Sequence, residues 1–325
     1  MSLKESIFDG YHEKEHCKHL ESMWKNKFNI YPQLPFTKIF DIDTLSINHY
    51  EKEFLFKTNI DYTICDKKDK PLMCIEFDGL GKGYNRGAEY IQIVEYPHRK
   101  KRLELKLKMA MENNLPFYII SYDEKTDISD KIHLTVIDGI IGQTIARMNT
   151  QDKINEYLES HKDSLESMDE SEFNEYIEDI ITLAEIETEL TWDPIAKKAS
   201  EIKNILFDKE IILRYGLKLL TSESLEMKDI YDIDNQQKTA EDIKRYGCEV
   251  SCETPKGRVV KQSWIRNFGV TSFLPLTIVE NISTLLAFYE AATLNGVKIE
   301  NYDNFTNISE LFASYKESTL NKYGD

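Results

Sequence analysis

The sequence predicts an α/β protein: a mixed central sheet flanked by helices in the first half, then a mainly helical second half with one β-hairpin. Three stretches carry this expectation. Residues Ile60-Asp61-Tyr62-Thr63-Ile64-Cys65 and Leu72-Met73-Cys74-Ile75-Glu76-Phe77 are β-rich runs around the charged turn Lys67-Lys68-Asp69-Lys70-Pro71, which reads as an antiparallel hairpin. Residues 98–114 alternate Leu103, Leu105, Leu107, Met109 and Met111 as a strand would. Composition nevertheless selects a helix, because Lys, Arg, Leu, Glu, Met and Ala are strong helix formers and no β-branched residue interrupts them. The run Leu115–Tyr122 is continuously apolar, as a central strand covered on both faces should be.

A chain of 325 residues holds one large domain or two ordinary ones, and a composition shift near Asn149 places the boundary at 1–150 and 151–325. No apolar run reaches the length of a membrane span, and the first residues lack the apolar core of a signal peptide, so a soluble cytoplasmic protein without a membrane partner is expected. The five cysteines are odd in number and lack paired CxxC spacing, which argues against a disulfide framework or a zinc ribbon. A net charge of −16 runs against nucleic-acid binding by the chain as a whole, so any phosphate contact must come from a local patch.

In chain order, residues 11–28 read as a helix with Cys17, Leu20, Trp24 and Phe28 along one face. Glu13 shares that face, and as a helix-start glutamate it suits the dipole. His12, His16 and His19 share another face, with no carboxylate or cysteine placed beside them by a motif, and read as solvent-exposed. Tyr31-Pro32-Gln33-Leu34-Pro35 breaks the helix, and an extended segment from Thr37 to Ile42 leads into the sheet.

The hairpin then carries the chemistry. With its turn centred between Lys68 and Asp69, Asp61 faces Glu76 across the ladder, and Asp78 follows two residues on, on the same face. Like charges opposite one another destabilise a hairpin, so the three carboxylates call for a counter-charge. A divalent metal would supply it, and an oxygen-only donor set suits Mg²⁺ or Mn²⁺.

At these residues the chain resembles the restriction-endonuclease-like, PD-(D/E)XK nuclease superfamily, and in particular compact members with a Glu-x-Asp-Gly strand (here Glu76-Phe77-Asp78-Gly79) and a lysine migrated to the following helix. The resemblance covers the first half of the chain. It implies Asp61 and Glu76 as metal ligands, with a main-chain carbonyl near Phe77 as a further ligand, and Asp78 supporting them where the family has its lysine. It also implies Lys106 as the replacement lysine, which orients or deprotonates the attacking water. It brings Glu13 to the metal site as first choice, with Glu15 and Glu21 next. The implied activity is metal-dependent phosphodiester hydrolysis, with DNA the substrate by analogy. A rival reading is an inactive scaffold that keeps the fold and binds nucleic acid or protein.

The Gly-rich insert 79–87 lacks the ending of a P-loop and reads as a loop at the mouth of the site, offering Lys82, Arg86 and Tyr84 to substrate, or as a plain surface turn. On the helix at 98–114, Arg99, Leu103, Lys106 and Ala110 form one stripe facing the sheet, where a buried cation needs a carboxylate or phosphate partner. A helix from His133 to Met148 closes the first domain.

Beyond it, residues 152–190 are acidic and helical, with an apolar stripe of Phe173, Tyr176, Ile177, Ile180 and Ile181, and further helices run to Leu220. The acidic half could serve as a module for a protein partner. Residues 248–253 and 258–262 around Thr-Pro-Lys-Gly form the second hairpin, with Cys248 and Cys252 as small apolar fillers. Trp264 and Arg266 follow it, read either as core or as an aromatic-basic contact for nucleic acid. Helices at 274–295 and 309–323 close the chain.

Overall fold

The computed structural model describes residues 11–42, 47–78, 81–84, 90–92, 96–121, 132–165, 168–221, 245–266 and 273–299. Its first sheet is mixed, in the order β1-β2-β3-β6. Strands β1 (Asn29–Pro35), β2 (Asn59–Cys65) and β3 (Pro71–Asp78) pair antiparallel, and β6 (Phe117–Ser121) lies parallel to β3.

The hairpin register is the one a turn centred on Lys68 and Asp69 requires: Tyr62 pairs with Ile75, Thr63 with Cys74 and Ile64 with Met73, before a bulge at Cys65. The turn is closed locally. The Asp66 carboxylate accepts the Lys68 and Lys70 N–H groups, and Asp69, at φ 65, takes bonds from Asn29 and Tyr31 of β1.

The parallel pair β3 and β6 is connected through a small hairpin, β4 (Gly81–Tyr84) and β5 (Tyr90–Gln92), and then a helix. Helices α1 (Tyr11–Trp24), α2 (His49–Leu55) and α3 (Pro97–Glu112) complete this part. Helix α3 starts with Pro97, which needs no N–H partner in the first turn, and it buries Leu103, Leu105, Lys106, Met109 and Ala110. Strand β6 ends the sheet order, yet Phe117 through Ile120 are all buried. On α1 the expected stripe holds, with Cys17, Leu20 and Trp24 buried together with Phe28 beyond the helix.

Two expectations for this half need correction. The first strand is Asn29–Pro35, the stretch read as a breaker, while Phe36–Lys38 forms a short 3-10 turn instead of leading into the sheet. Pro32 and Pro35 are tolerated because β1 is an edge strand, and Gln33 sits at φ 51 where the pairing skips a residue. His16 and His19 do not form a solvent face, and the His12 side chain lies outside the described residues. His16 is buried and stacks on Phe77 with ring centroids 4.3 Å apart, and His19 is half-buried.

By its contacts the chain separates into two units: residues 1–125 with 238–244 and 266–270, and residues 126–237, 245–265 and 271–325. The division falls near residue 125, ahead of the expected 150. Helix α4 (Ile132–Ser160) packs on later helices, α6 (Glu170–Trp192), α7 (Pro194–Asp208) and α8 (Phe273–Asn295), and so belongs to the second unit. Between α4 and α6 lies the short α5 (Lys162–Leu165).

The second unit is less helical than expected. Its hairpin, β8 (Arg245–Thr254) and β9 (Gly257–Arg266), gains a third strand, β7 (Arg214–Thr221), in the order β7-β8-β9. Residues 214–220 were expected to be helical. They pair instead, with Tyr215, Leu217 and Leu219 opposite Cys252, Val250 and Cys248, a period of two that no helix face accommodates. Cys248 and Cys252 are fully buried, as small core fillers should be. On α6 the buried positions are Ile180, Ala184 and Thr188, whereas Phe173 and Ile181 of the expected stripe are exposed.

The charge divides with the chain. Residues 1–125 contain as many Lys and Arg as Asp and Glu, twenty of each, so the whole −16 belongs to residues 126–325. No helix among the described residues is long and apolar enough to cross a membrane.

Candidate active site

The carboxylate end of the first hairpin is where β2 and β3 part. Tyr62 and Ile75 are the last paired residues. Beyond them, side chains take over the work of the ladder. Asp61 Oδ2 accepts the Phe77 N–H at 2.8 Å. Asp61 is thereby held to the β3 backbone next to Glu76, where the ladder pairs stop.

Lys106 reaches this place from α3. Its Nζ donates to Glu76 Oε1 at 2.5 Å and to the Asn59 carbonyl at 2.5 Å, and both charged side chains are buried. The Asn59 carbonyl lies on β2, beyond its last pair with β3, so the lysine binds both parted strands. Burial, and after it the Asp61 charge, push the Glu76 carboxyl up to about 8, while the neighbouring Lys106 opposes the rise. Half-buried Asp61 is further held by Gln33 of β1, whose Nε2 donates to Oδ1 at 3.0 Å.

Asp78 continues the same face and is fully buried, but its oxygens serve other partners. Arg99 lies 2.6 Å from Oδ1, and the Tyr90 hydroxyl donates to Oδ2 at 3.0 Å. The expected convergence of three carboxylates on one metal is therefore not the arrangement seen. Arg99 neutralises Asp78, Lys106 faces Glu76, and Asp61 is stabilised by neutral donors. Among the described residues no group of three or more His, Cys, Asp and Glu side chains comes together in a way that would hold an ion.

Asp61 and Glu76 alone still fit a magnesium-type ion. Such an ion is held by one or two carboxylates and keeps waters and substrate phosphates for its other positions. An acid raised by burial and then by a neighbouring carboxylate is also a ligand that a cation would stabilise.

Asp61, Glu76, Asp78, Lys106 and Arg99 thus stand where the sequence expects them, on β2, β3 and one stripe of α3. The side chains of Glu13, Glu15, Lys82 and Arg266, and Arg86 as a whole, lie outside the described residues. Glu21 is exposed and lines a surface cleft with Lys25, Phe28 and Tyr31. Trp264 packs against Gly247, where an added Cβ would fall 2.6 Å from the indole.

Sequence reasoning missed Gln33 and Tyr90. A polar residue between two prolines was a signal for the first, while nothing in the Gly-rich insert marks the second. No family model, no curated protein and no solved structure matches this chain.

Proposed function

We propose that this chain is a metal-dependent nuclease of the restriction-endonuclease-like kind, hydrolysing phosphodiester bonds with DNA as the substrate. The observation that carries the reading is the seating of Lys106 on Glu76 beside Asp61, three residues from three elements meeting where the hairpin opens. The sheet supports it: three antiparallel strands followed by a parallel β6, reached through a helix that delivers the lysine.

A Mg²⁺ or Mn²⁺ held by Asp61 and Glu76 would supply Lewis acidity toward the phosphate and a more acidic bound water. The chain's own groups do the rest. Glu76 and Asp61 would hold the ion, with Asp61 positioned by the Phe77 N–H and Glu76 by Lys106. Lys106 uses two of its three donors on Glu76 and Asn59, which leaves the third for a water or a phosphate oxygen. Burial of the pair excludes bulk water and strengthens that contact.

A second reading, an inactive scaffold that binds nucleic acid or protein, has one observation in its favour: Lys106 and Glu76 already satisfy each other's charge. Cleavage of labelled single- and double-stranded oligonucleotides in Mg²⁺, in Mn²⁺ and in chelator separates the two. The nuclease reading expects products with metal only, lost in Asp61→Asn and Glu76→Gln variants that melt as cooperatively as the parent. Equal activity in chelator, or full activity in both variants, contradicts it. Binding without cleavage under every metal condition selects the scaffold.

A further inference from the structure

We propose, resting on the nuclease reading, that Arg99 binds a backbone phosphate flanking the scissile one, and that Asp78 is the positioning residue that aims its guanidinium. Asp78 is buried completely, and its two oxygens are taken by donors from two elements, Arg99 of α3 and Tyr90 of β5. Burial and the Asp78 charge push the Tyr90 phenol up, which keeps it protonated as a donor to Asp78. The carboxylate is therefore a fixed post, and Arg99 is tied to it at one end.

The other end of Arg99 is open, since 42% of its side chain faces solvent. A guanidinium presents five N–H donors in a rigid fork. With Nη2 held by the carboxylate, the donors that remain are aimed outward for a planar or tetrahedral oxyanion, the geometry in which arginine outperforms lysine.

Position agrees with this. Arg99 lies on the same stripe of α3 as Lys106, seven residues or roughly 10 Å along the helix axis. That is the reach of about three nucleotides of one strand. The first turn carries His98 and Lys100 beside Arg99, with Lys101 next, and no acidic residue, a distribution the helix dipole opposes and a bound polyanion would relieve. Where the resembled family places its lysine, this chain has an acid that holds an arginine.

The test uses the full-length protein and a fluorescein-labelled oligonucleotide. Binding is measured in Ca²⁺ across a series of NaCl concentrations, and turnover in Mg²⁺ or Mn²⁺. Arg99→Ala should weaken binding by roughly tenfold and lower the magnitude of the log K against log [salt] slope by about one. Its KM should rise more than its kcat falls. Arg99→Lys should keep the slope but recover only part of the affinity. Asp78→Asn keeps the Tyr90 contact and releases the guanidinium, so it should shift KM in the same direction, and the double variant should be no worse than Arg99→Ala. Lys108→Ala, at the far end of α3 beside Glu112, should leave binding unchanged.

Unchanged affinity and slope in Arg99→Ala, with a wild type that binds, overturns the proposal and leaves the nuclease reading intact if cleavage persists. The expected slope change in a protein that binds but never cleaves keeps the proposal and removes the nuclease reading. A wild type that does not bind removes both. Arg99→Ala strips the cation from buried Asp78, so its thermal melt is recorded beside its binding, and the double variant, which leaves no buried charge unpaired, carries the same binding test if the single variant folds poorly.

Discussion

Glu76 and Lys106 show how two unfavourable burials become one usable site. A carboxylate and an ammonium taken from water each cost several kcal/mol, by order of magnitude, unless they are paired and hydrogen-bonded. Here they meet at 2.5 Å, and the Asn59 carbonyl takes another lysine donor. Lys106 was legible from helix spacing because the stripe Arg99, Leu103, Lys106, Ala110 can face only one way if Leu103 and Ala110 are core. Both are buried, and both cations of the stripe found carboxylates. What spacing could not give was the pairing pattern, Lys106 on Glu76 and Arg99 on Asp78, which depends on where β3 ends relative to α3. In an active enzyme, Lys106→Ala is expected to lower turnover by roughly two to four orders of magnitude, the range for a positioned proton-transfer group. Lys108→Ala, exposed on another face, should change it little. Single-turnover rates at saturating metal check this, and an essential Lys108 beside a dispensable Lys106 would reverse the assignment.

Among the elements, the first hairpin was readable because a charged turn between alternating runs fixes its register, and the observed pairs follow it. Strand β1 was not, because prolines normally end strands and only an edge position excuses them. Strand β7 was misread because Leu-rich composition outweighed its alternation. The junction of α6 and α7 carries a feature no local pattern discloses. Asp193 caps α7 through Oδ1, while Oδ2 accepts from Gln143 of α4 and Asn281 of α8, which also reach Glu189.

Burial is the main cause that pushes Asp193 up to about 6. The folded state therefore holds this proton more tightly than the unfolded chain. The resulting stabilisation is complete below about pH 4 and is lost as pH rises through about 6, a change of up to roughly 3 kcal/mol. Asp193→Asn keeps a capping oxygen and cannot ionise. Its stability relative to the parent should increase with pH across that window in urea unfolding, and parallel pH profiles would contradict the assignment. The same junction leaves no room at Gly142, where a Cβ would fall 2.6 Å from the Asp193 Cα. Gly142→Ala should lower the denaturation midpoint, by about 1–3 kcal/mol of stability, because the obstacle is backbone. An unchanged midpoint would mean that the helices separate freely.

At the scale of the whole molecule, the acidic balance that seemed to oppose nucleic-acid binding is confined to residues 126–325, and the part carrying the carboxylates and Lys106 is neutral. Composition alone hid this, because a single net charge averages two unlike units. The boundary was hidden for a related reason. Helix α4 is apolar enough to close either domain, and its buried residues Val136, Ile137, Ile140, Ile141 and Ile145 find their partners in helices far along the sequence.

An ion that binds only the folded form should raise its melting temperature in proportion to the logarithm of the concentration above Kd. Millimolar Mg²⁺, Mn²⁺ or Ca²⁺ is thus expected to stabilise the parent and not Glu76→Gln, and a flat titration of the parent would count against an ion site. The most direct test of the account is a crystal soaked in Mn²⁺ and recorded for anomalous scattering. The account predicts a peak bounded by the Asp61 and Glu76 carboxylates, with Lys106 beside it and Asp78 still on Arg99; an ordered hairpin without a peak, or a peak that recruits Asp78 away from Arg99, would contradict it.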